Sequence, residues 1–265
     1  MERVAVRASE SADWALAHGR SAFTVGDLAE LLQVPADQVR RRLNAPARRN
    51  EWIMPVRGLW VPVPPEYRTW GAPPGLEIID AMMGYLDVDY YVGWLSAAAL
   101  HGAAHQAPQV FQVAVTRHVR DRAVGRTRFE FAQRDVEQIP RAQFPTRSGT
   151  AQVSTVAATA LDIAADIRRA GGIDNAATVI CELAELDQFR AQDVVRLADV
   201  YPAAALRRIG YLLERFGDFE DLEQIRRAAQ AAGATPSRLD PLGQASGPVD
   251  EAWLVYVNRK VEPDL

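Results

Sequence analysis

The segment from Phe23 to Val63, FTVGDLAELLQVPADQVRRRLNAPARRNEWIMPVRGLWVPV, constrains the fold more than any other part of the chain. Thr24 can cap a helix, with Asp27 three residues on as a short-armed capping-box partner. Leu28, Leu31 and Leu32 form the apolar stripe of that helix. Val34-Pro35 breaks it, and Pro35 suits the first turn of a second helix. There Val39 and Leu43 share one face at i, i+4 spacing. Gln38, Arg41, Arg42 and Asn44 fall on outward or flanking positions. Pro46 is costly inside a helix, so the second helix is expected to end near Asn44, with a separate turn over 46–50. Two short apolar runs follow, Trp52–Val56 and Leu59–Val63, joined by Arg57-Gly58. Pro55 and Pro62 confine them to sheet edges. Helix, turn, helix and hairpin in this order predict a winged helix-turn-helix, for which DNA binding is the default expectation.

Charge placement agrees with that expectation better than total charge does. The whole chain carries a net charge of −4, yet Ala36–Trp60 holds six arginines against Asp37 and Glu51, a local net of +4. A helix in the major groove needs cations for phosphates and a few side chains for base edges. Arginine pairs with guanine, and glutamine or asparagine suits adenine. Gln38, Arg41 and Arg42 are therefore assigned to base reading, and Arg40, Arg48 and Arg49 to phosphates. Arg57 at the wing tip would reach the minor groove or the backbone. Thr24 and Asn44 complete the candidate set. The competing reading is the solvated basic face of a protein-binding winged helix. A second cluster comprises Arg117, Arg120, Arg122, Arg126 and Arg128 against Asp121, again +4. It could extend a DNA footprint, touch an acidic or RNA-bearing partner, or be a solvated loop.

At 265 residues the chain exceeds one winged helix, which needs roughly 70. Residues 62–75 hold five of the sixteen prolines and form a stiff connector. The expected division is a winged helix-turn-helix over 1–63, a connector over 64–75 and a mixed domain over 76–265. In the last, helices are predicted over 76–86 and 95–101, with Gly102 stopping the second. A strand is predicted over 90–92. Gln109–Thr116 and Arg128–Ala132 alternate as strands that pair across the arginine-rich connection. From Val156 the period changes to that of four or five amphipathic helices, and a last strand is expected at Trp253–Asn258. The fold class is α+β, with a helix-rich C-terminal domain.

Several constellations are weak. His101 and His105 have the spacing of a helical zinc pair, with His118 as the only further histidine nearby, but Gly102 ends the helix between them. Ser96 with His101 and Asp89 lacks a nucleophile elbow. Gly171-Gly172 joins two helices and is no phosphate loop. No catalytic residue, metal or cofactor is assigned, and no enzyme activity is expected. Cys181 reads as a small buried residue. Trp60, Trp70 and Trp94 read as core or linker packing. No apolar run spans a membrane and no leader is visible, so a cytoplasmic location is expected.

The order of segments resembles the AbiEi antitoxins of type IV toxin–antitoxin systems. The likeness lies in FT-x₂-DLA-x₂-L, RGLWVPVP, YYVGWLSAAALHG, VSTVAATALDIA, RRIGYLLERFG and WLVYVN, across roughly residues 20–260. The resemblance implies an N-terminal winged helix that binds double-stranded DNA at inverted repeats in its own promoter. It also implies a C-terminal domain that counteracts a nucleotidyltransferase-like toxin, whether or not it binds that toxin directly. The alternative is a transcriptional regulator whose larger domain senses a ligand or mediates dimerisation.

Overall fold

The computed structural model describes residues 5–103, 109–147, 149–244 and 246–264. It opens with helix α1 (Ser11–Ala17), strand β1 (Phe23–Thr24) and helices α2 (Val25–Leu32), α3 (Ala36–Arg42) and α4 (Asn44–Arg48). The hairpin β2 (Trp52–Val56) and β3 (Leu59–Pro62) follows, then a 3-10 helix, Pro65–Trp70. Next come α5 (Gly75–Leu86), β4 (Tyr90–Val92), α6 (Trp94–His101), β5 (Val110–Val115), β6 (Arg122–Val124), β7 (Thr127–Gln133), β8 (Arg141–Thr146) and β9 (Gly149–Ser154). The remainder holds α7 (Val156–Ala165), α8 (Ile173–Ala184), α9 (Ala191–Arg196), α10 (Ala203–Phe216) and α11 (Leu222–Ala231). Three short strands close it: β10 (Ser237–Arg238), β11 (Val249–Asp250) and β12 (Val255–Tyr256). The class is α+β, as expected. The sheets run β1-β3-β2, β10-β12-β11 and β6-β7-β5-β4-β9-β8.

Two compact units emerge. One comprises residues 1–90, 109–134 and 143–152; the other comprises 91–108, 135–142 and 153–265. The proline-rich segment 64–75 lies within the first unit.

In the first unit, the opening helices and sheet enclose a small core of Ala12, Ala15, Phe23, Leu28, Leu32, Val39, Leu43, Trp52 and Trp60. Phe23 meets Trp52 edge-on at 5.3 Å. The buried Trp52 indole donates to Ser11 Oγ at 3.1 Å, so its one polar atom is satisfied. Later in the same unit β5 and β7 pair in parallel, from Val110 opposite Arg128 to Val115 opposite Gln133. Parallel neighbours require the chain to travel back between them. Strand β6 provides that return, running antiparallel to β7. The arginine-rich connection is therefore partly a strand and not simply a loop.

In the second unit α10 is the longest helix, and both arginines that follow Leu206 are buried. Arg208 donates to the carbonyls of Ala164 at 2.7 Å and Leu239 at 3.0 Å. Loss of hydration lowers its pKa to about 10, which still leaves it charged. Tyr91 and Tyr201 both donate to Asp162 Oδ1, at 3.1 and 2.8 Å. Gly210 lies so close to Trp253 that a Cβ there would sit 1.9 Å from the indole ring. The expected last strand contracts to Val255–Tyr256.

Candidate nucleic-acid interface

Helix α2 begins at the capping box foreseen from the sequence. Thr24 Oγ1 accepts from Asp27 N at 3.2 Å, and Asp27 Oδ2 accepts from Thr24 N at 2.7 Å. The Thr24 hydroxyl also donates to Asp27 Oδ2 at 2.7 Å, so it is engaged in capping. The helix ends at Gln33 in the left-handed region, φ +53. Pro35 is extended and precedes α3 as its N-cap residue, one position earlier than a first-turn proline.

Val39 and Leu43 anchor α3, with 1% and 0% of their surface exposed. At about 100° per residue, Arg41 points directly away from that seam, and Arg40 and Arg42 lie on its two flanks. All three are exposed. Arg41 Nη2 donates to Gln38 Oε1 at 3.2 Å, one turn earlier, which preorients the two side chains together. The triplet also ends the helix, where cations suit the negative end of its dipole. That is a local reason for the arginines that does not involve DNA.

The expected turn over 46–50 takes another form. The helix breaks at Leu43, and residues 44–48 form the short helix α4. Pro46 falls in its first turn, where a missing N–H costs nothing. Leu43 still receives Ala47 N at 2.8 Å, so the break is a change of direction with little loss of bonding. Asn44 and Arg48 are exposed on this segment. Arg49 is not free. Its Nε and Nη2 donate to the two carboxylate oxygens of Glu51 at 2.7 and 2.9 Å, and that bond raises its pKa.

The hairpin tip carries Arg57 outward and turns at Gly58, φ +95. Two side chains from beyond the hairpin reach its backbone. Tyr85 on α5 donates to the Arg57 carbonyl at 3.3 Å, and Arg122 on β6 donates to the Pro55 carbonyl at 3.1 Å. Neither was foreseen, because no spacing rule links positions so far apart.

The second basic cluster is spread across several tasks. Arg117 donates to the carbonyls of Leu86 and Asp87 at the end of α5. Arg128 pairs with Glu130 at 3.5 Å. Arg122 is half-buried, and burial lowers its pKa. Arg120 and Arg126 are exposed, with no side-chain partner among the described residues.

The other constellations have these surroundings. His101 hydrogen-bonds the Ser154 carbonyl at 2.7 Å through Nε2, and burial pushes its pKa below the usual histidine value. Asp89 accepts from the backbone of Tyr90 at 2.9 Å. His105 lies outside the described residues. Among the described residues no three His, Cys, Asp or Glu side chains cluster as a metal site. Likewise no helix is long and apolar enough to cross a membrane. Cys181 is buried, and burial raises its thiol to about 11. Trp60 and Trp94 are core residues, whereas Trp70 is 52% exposed and its ring meets that of Tyr67 at 6.0 Å within the connector.

Comparison with known proteins places these observations. Residues 91–215 match the family model of the AbiEi antitoxin C-terminal domain. No curated protein matches the chain. Among solved structures, the crystal structure of the RV2827C protein from Mycobacterium tuberculosis is similar, with a TM-score of 0.67 at 14% identity. The match covers 96% of this chain and 92% of that one. At that identity the likeness is one of fold.

Proposed function

Since the chain carries an AbiEi antitoxin domain across residues 91–215, we propose that it is the DNA-binding antitoxin of a type IV toxin–antitoxin pair and represses its own operon. In this reading residues 1–63 are a winged helix-turn-helix. Helix α3 enters the major groove, and the β2–β3 hairpin is the wing. Segment 64–75 links it to residues 76–265, which counteract a nucleotidyltransferase-like toxin. The family is regulatory, and nothing points to catalysis. A cytoplasmic location goes with this reading.

One observation carries the DNA assignment. Arg40, Arg41, Arg42, Arg48 and Arg57 are all exposed on the second helix, the short helix after it and the hairpin tip, and none is tied to a carboxylate among the described residues. Gln38 and Arg41 read bases, Arg42 reads from its flank, and Arg40 and Arg48 hold phosphates. Asn44 borders this face. Arg49 joins only by exchanging Glu51 for a phosphate, and Thr24 contributes chiefly by fixing α2. Arg120 and Arg126 are the members of the second cluster best placed to add phosphate contacts; Arg117, Arg122 and Arg128 have protein partners. Repression is steric, through a bound duplex that polymerase cannot enter.

A mobility shift with the chain's own upstream region, paired with co-expression beside the adjacent toxin-like gene, tests both halves. Shift with rescue is the expected outcome. Shift without rescue would leave a plain transcriptional regulator, and rescue without shift would remove the repressor role.

A further inference from the structure

The hairpin β2–β3 is built with a defect that another element repairs. Its pairing slips between Ile53 and Val56, where Pro55 interrupts β2. The Pro55 carbonyl accepts Arg122 Nη1 at 3.1 Å. The same guanidinium donates from Nε to the Arg120 carbonyl at 3.2 Å and lies 5.9 Å from the centre of the Phe131 ring. Arg122 is thus held on β6 and β7 while its far end grips the hairpin. At the tip, Tyr85 donates to the Arg57 carbonyl at 3.3 Å. Its hydroxyl is so close to Gly58 that a Cβ there would fall 2.3 Å away. The third strand of this sheet, β1, is two residues long and pairs with β3 at Trp60 and Leu59, and so small a sheet is marginal alone in water. This one has its backbone held at Pro55 and Arg57, two residues apart, by β6 and α5.

We infer that Tyr85 and Arg122 are positioning residues for the wing, fixing its backbone so that the Arg57 side chain meets a DNA phosphate without first having to be ordered. The inference rests on the DNA-binding reading above. A loose tip would lose ordering entropy at the moment of binding, and a braced tip has already lost it on folding. Arg122 lies inside the segment matched to the antitoxin domain, so that segment helps to shape the DNA-contacting hairpin.

The test is a double-mutant cycle on the full chain, read as affinity for a duplex of its own upstream repeat at fixed salt. Tyr85→Phe removes one hydroxyl, and Arg122→Met removes the fork but keeps the stem. Arg57→Ala removes the side chain that both are inferred to serve and leaves its carbonyl. Each brace variant should weaken binding about 3- to 10-fold, the size of one net hydrogen bond. In the Arg57→Ala background each should cost nothing further, because groups acting through one contact are not additive. Penalties that persist in that background would mean direct contact or general unfolding and would overturn the inference. So would the absence of a penalty in the unaltered background. If the unaltered chain does not bind the duplex, the DNA-binding reading itself falls. Tyr85→Phe is mild enough to decide the matter if Arg122→Met does not fold.

Discussion

At the residue scale, Thr24 and Asp27 show how a small local pattern sets the angle of a helix. The Thr24 hydroxyl is the largest cause of Asp27's depressed pKa, followed among the lowering effects by the Thr24 backbone N–H and by Arg20. A carboxylate with a lowered folded pKa adds stability above its unfolded value and loses it as pH falls through the folded one. Thr24→Ala should therefore cost about 1 kcal/mol at neutral pH. Asp27→Asn should also destabilise at neutral pH, by an amount that shrinks below about pH 4. Urea titrations at two pH values would show it, and a penalty independent of pH would contradict the assignment. Arg41 makes a separate prediction. Arg41→Ala should weaken operator binding about 10-fold or more while sparing random DNA, whereas Arg48→Ala should weaken both alike. Equal losses on both DNAs for Arg41 would remove it from base reading. The capping box was legible because its partners are three residues apart. The neutralisation of Arg49 by Glu51 was harder to see, because proximity in sequence does not say which of several arginines a carboxylate will choose.

At the element scale, the sequence was most readable where burial is one-sided. Helices α2, α5 and α6 and strands β2 to β5 lie close to their expected bounds. Val39 and Leu43 were correctly read as the buried seam of α3. The β8–β9 hairpin was not among the expected elements. Strand β8 has no fully buried residue and contains Pro145, so it carries little periodic signal. Strand β6 was hidden because its three residues sit in a basic run. Pro46 was rightly read as a break, but a proline also suits the first turn of a new helix, and α4 forms around it. Gly210 offers a sharp test of packing against propensity. Replacing a helical glycine with alanine gains about 1 kcal/mol in an open helix. Here the new methyl would meet the fully buried Trp253 ring at 1.9 Å, and overpacking costs about 1–3 kcal/mol. Gly210→Ala should therefore lower the unfolding free energy. A stabilised variant would show that Trp253 is not seated as described.

At the scale of the whole molecule, the sequence placed the boundary in the proline-rich segment 64–75, and the compact units divide along other lines. The first unit recruits strands from beyond residue 109. Such long-range recruitment has no local pattern to announce it. The six polar side chains Tyr91, His101, Ser154, Thr159, Asp162 and Tyr201 lie within or near the segments that carry the family resemblance, and in the structure they are hydrogen-bonded inside the second unit. Their visible work is to build that unit. In the proposed function the exposed arginines of the first unit act together on DNA. The most direct test of this is the affinity of the full chain for a duplex of its own upstream repeat, followed by fluorescence anisotropy across a salt series. Five phosphate contacts predict a slope of log affinity against log salt of about −4 to −5. A flat response, or no binding at low salt, would contradict the account.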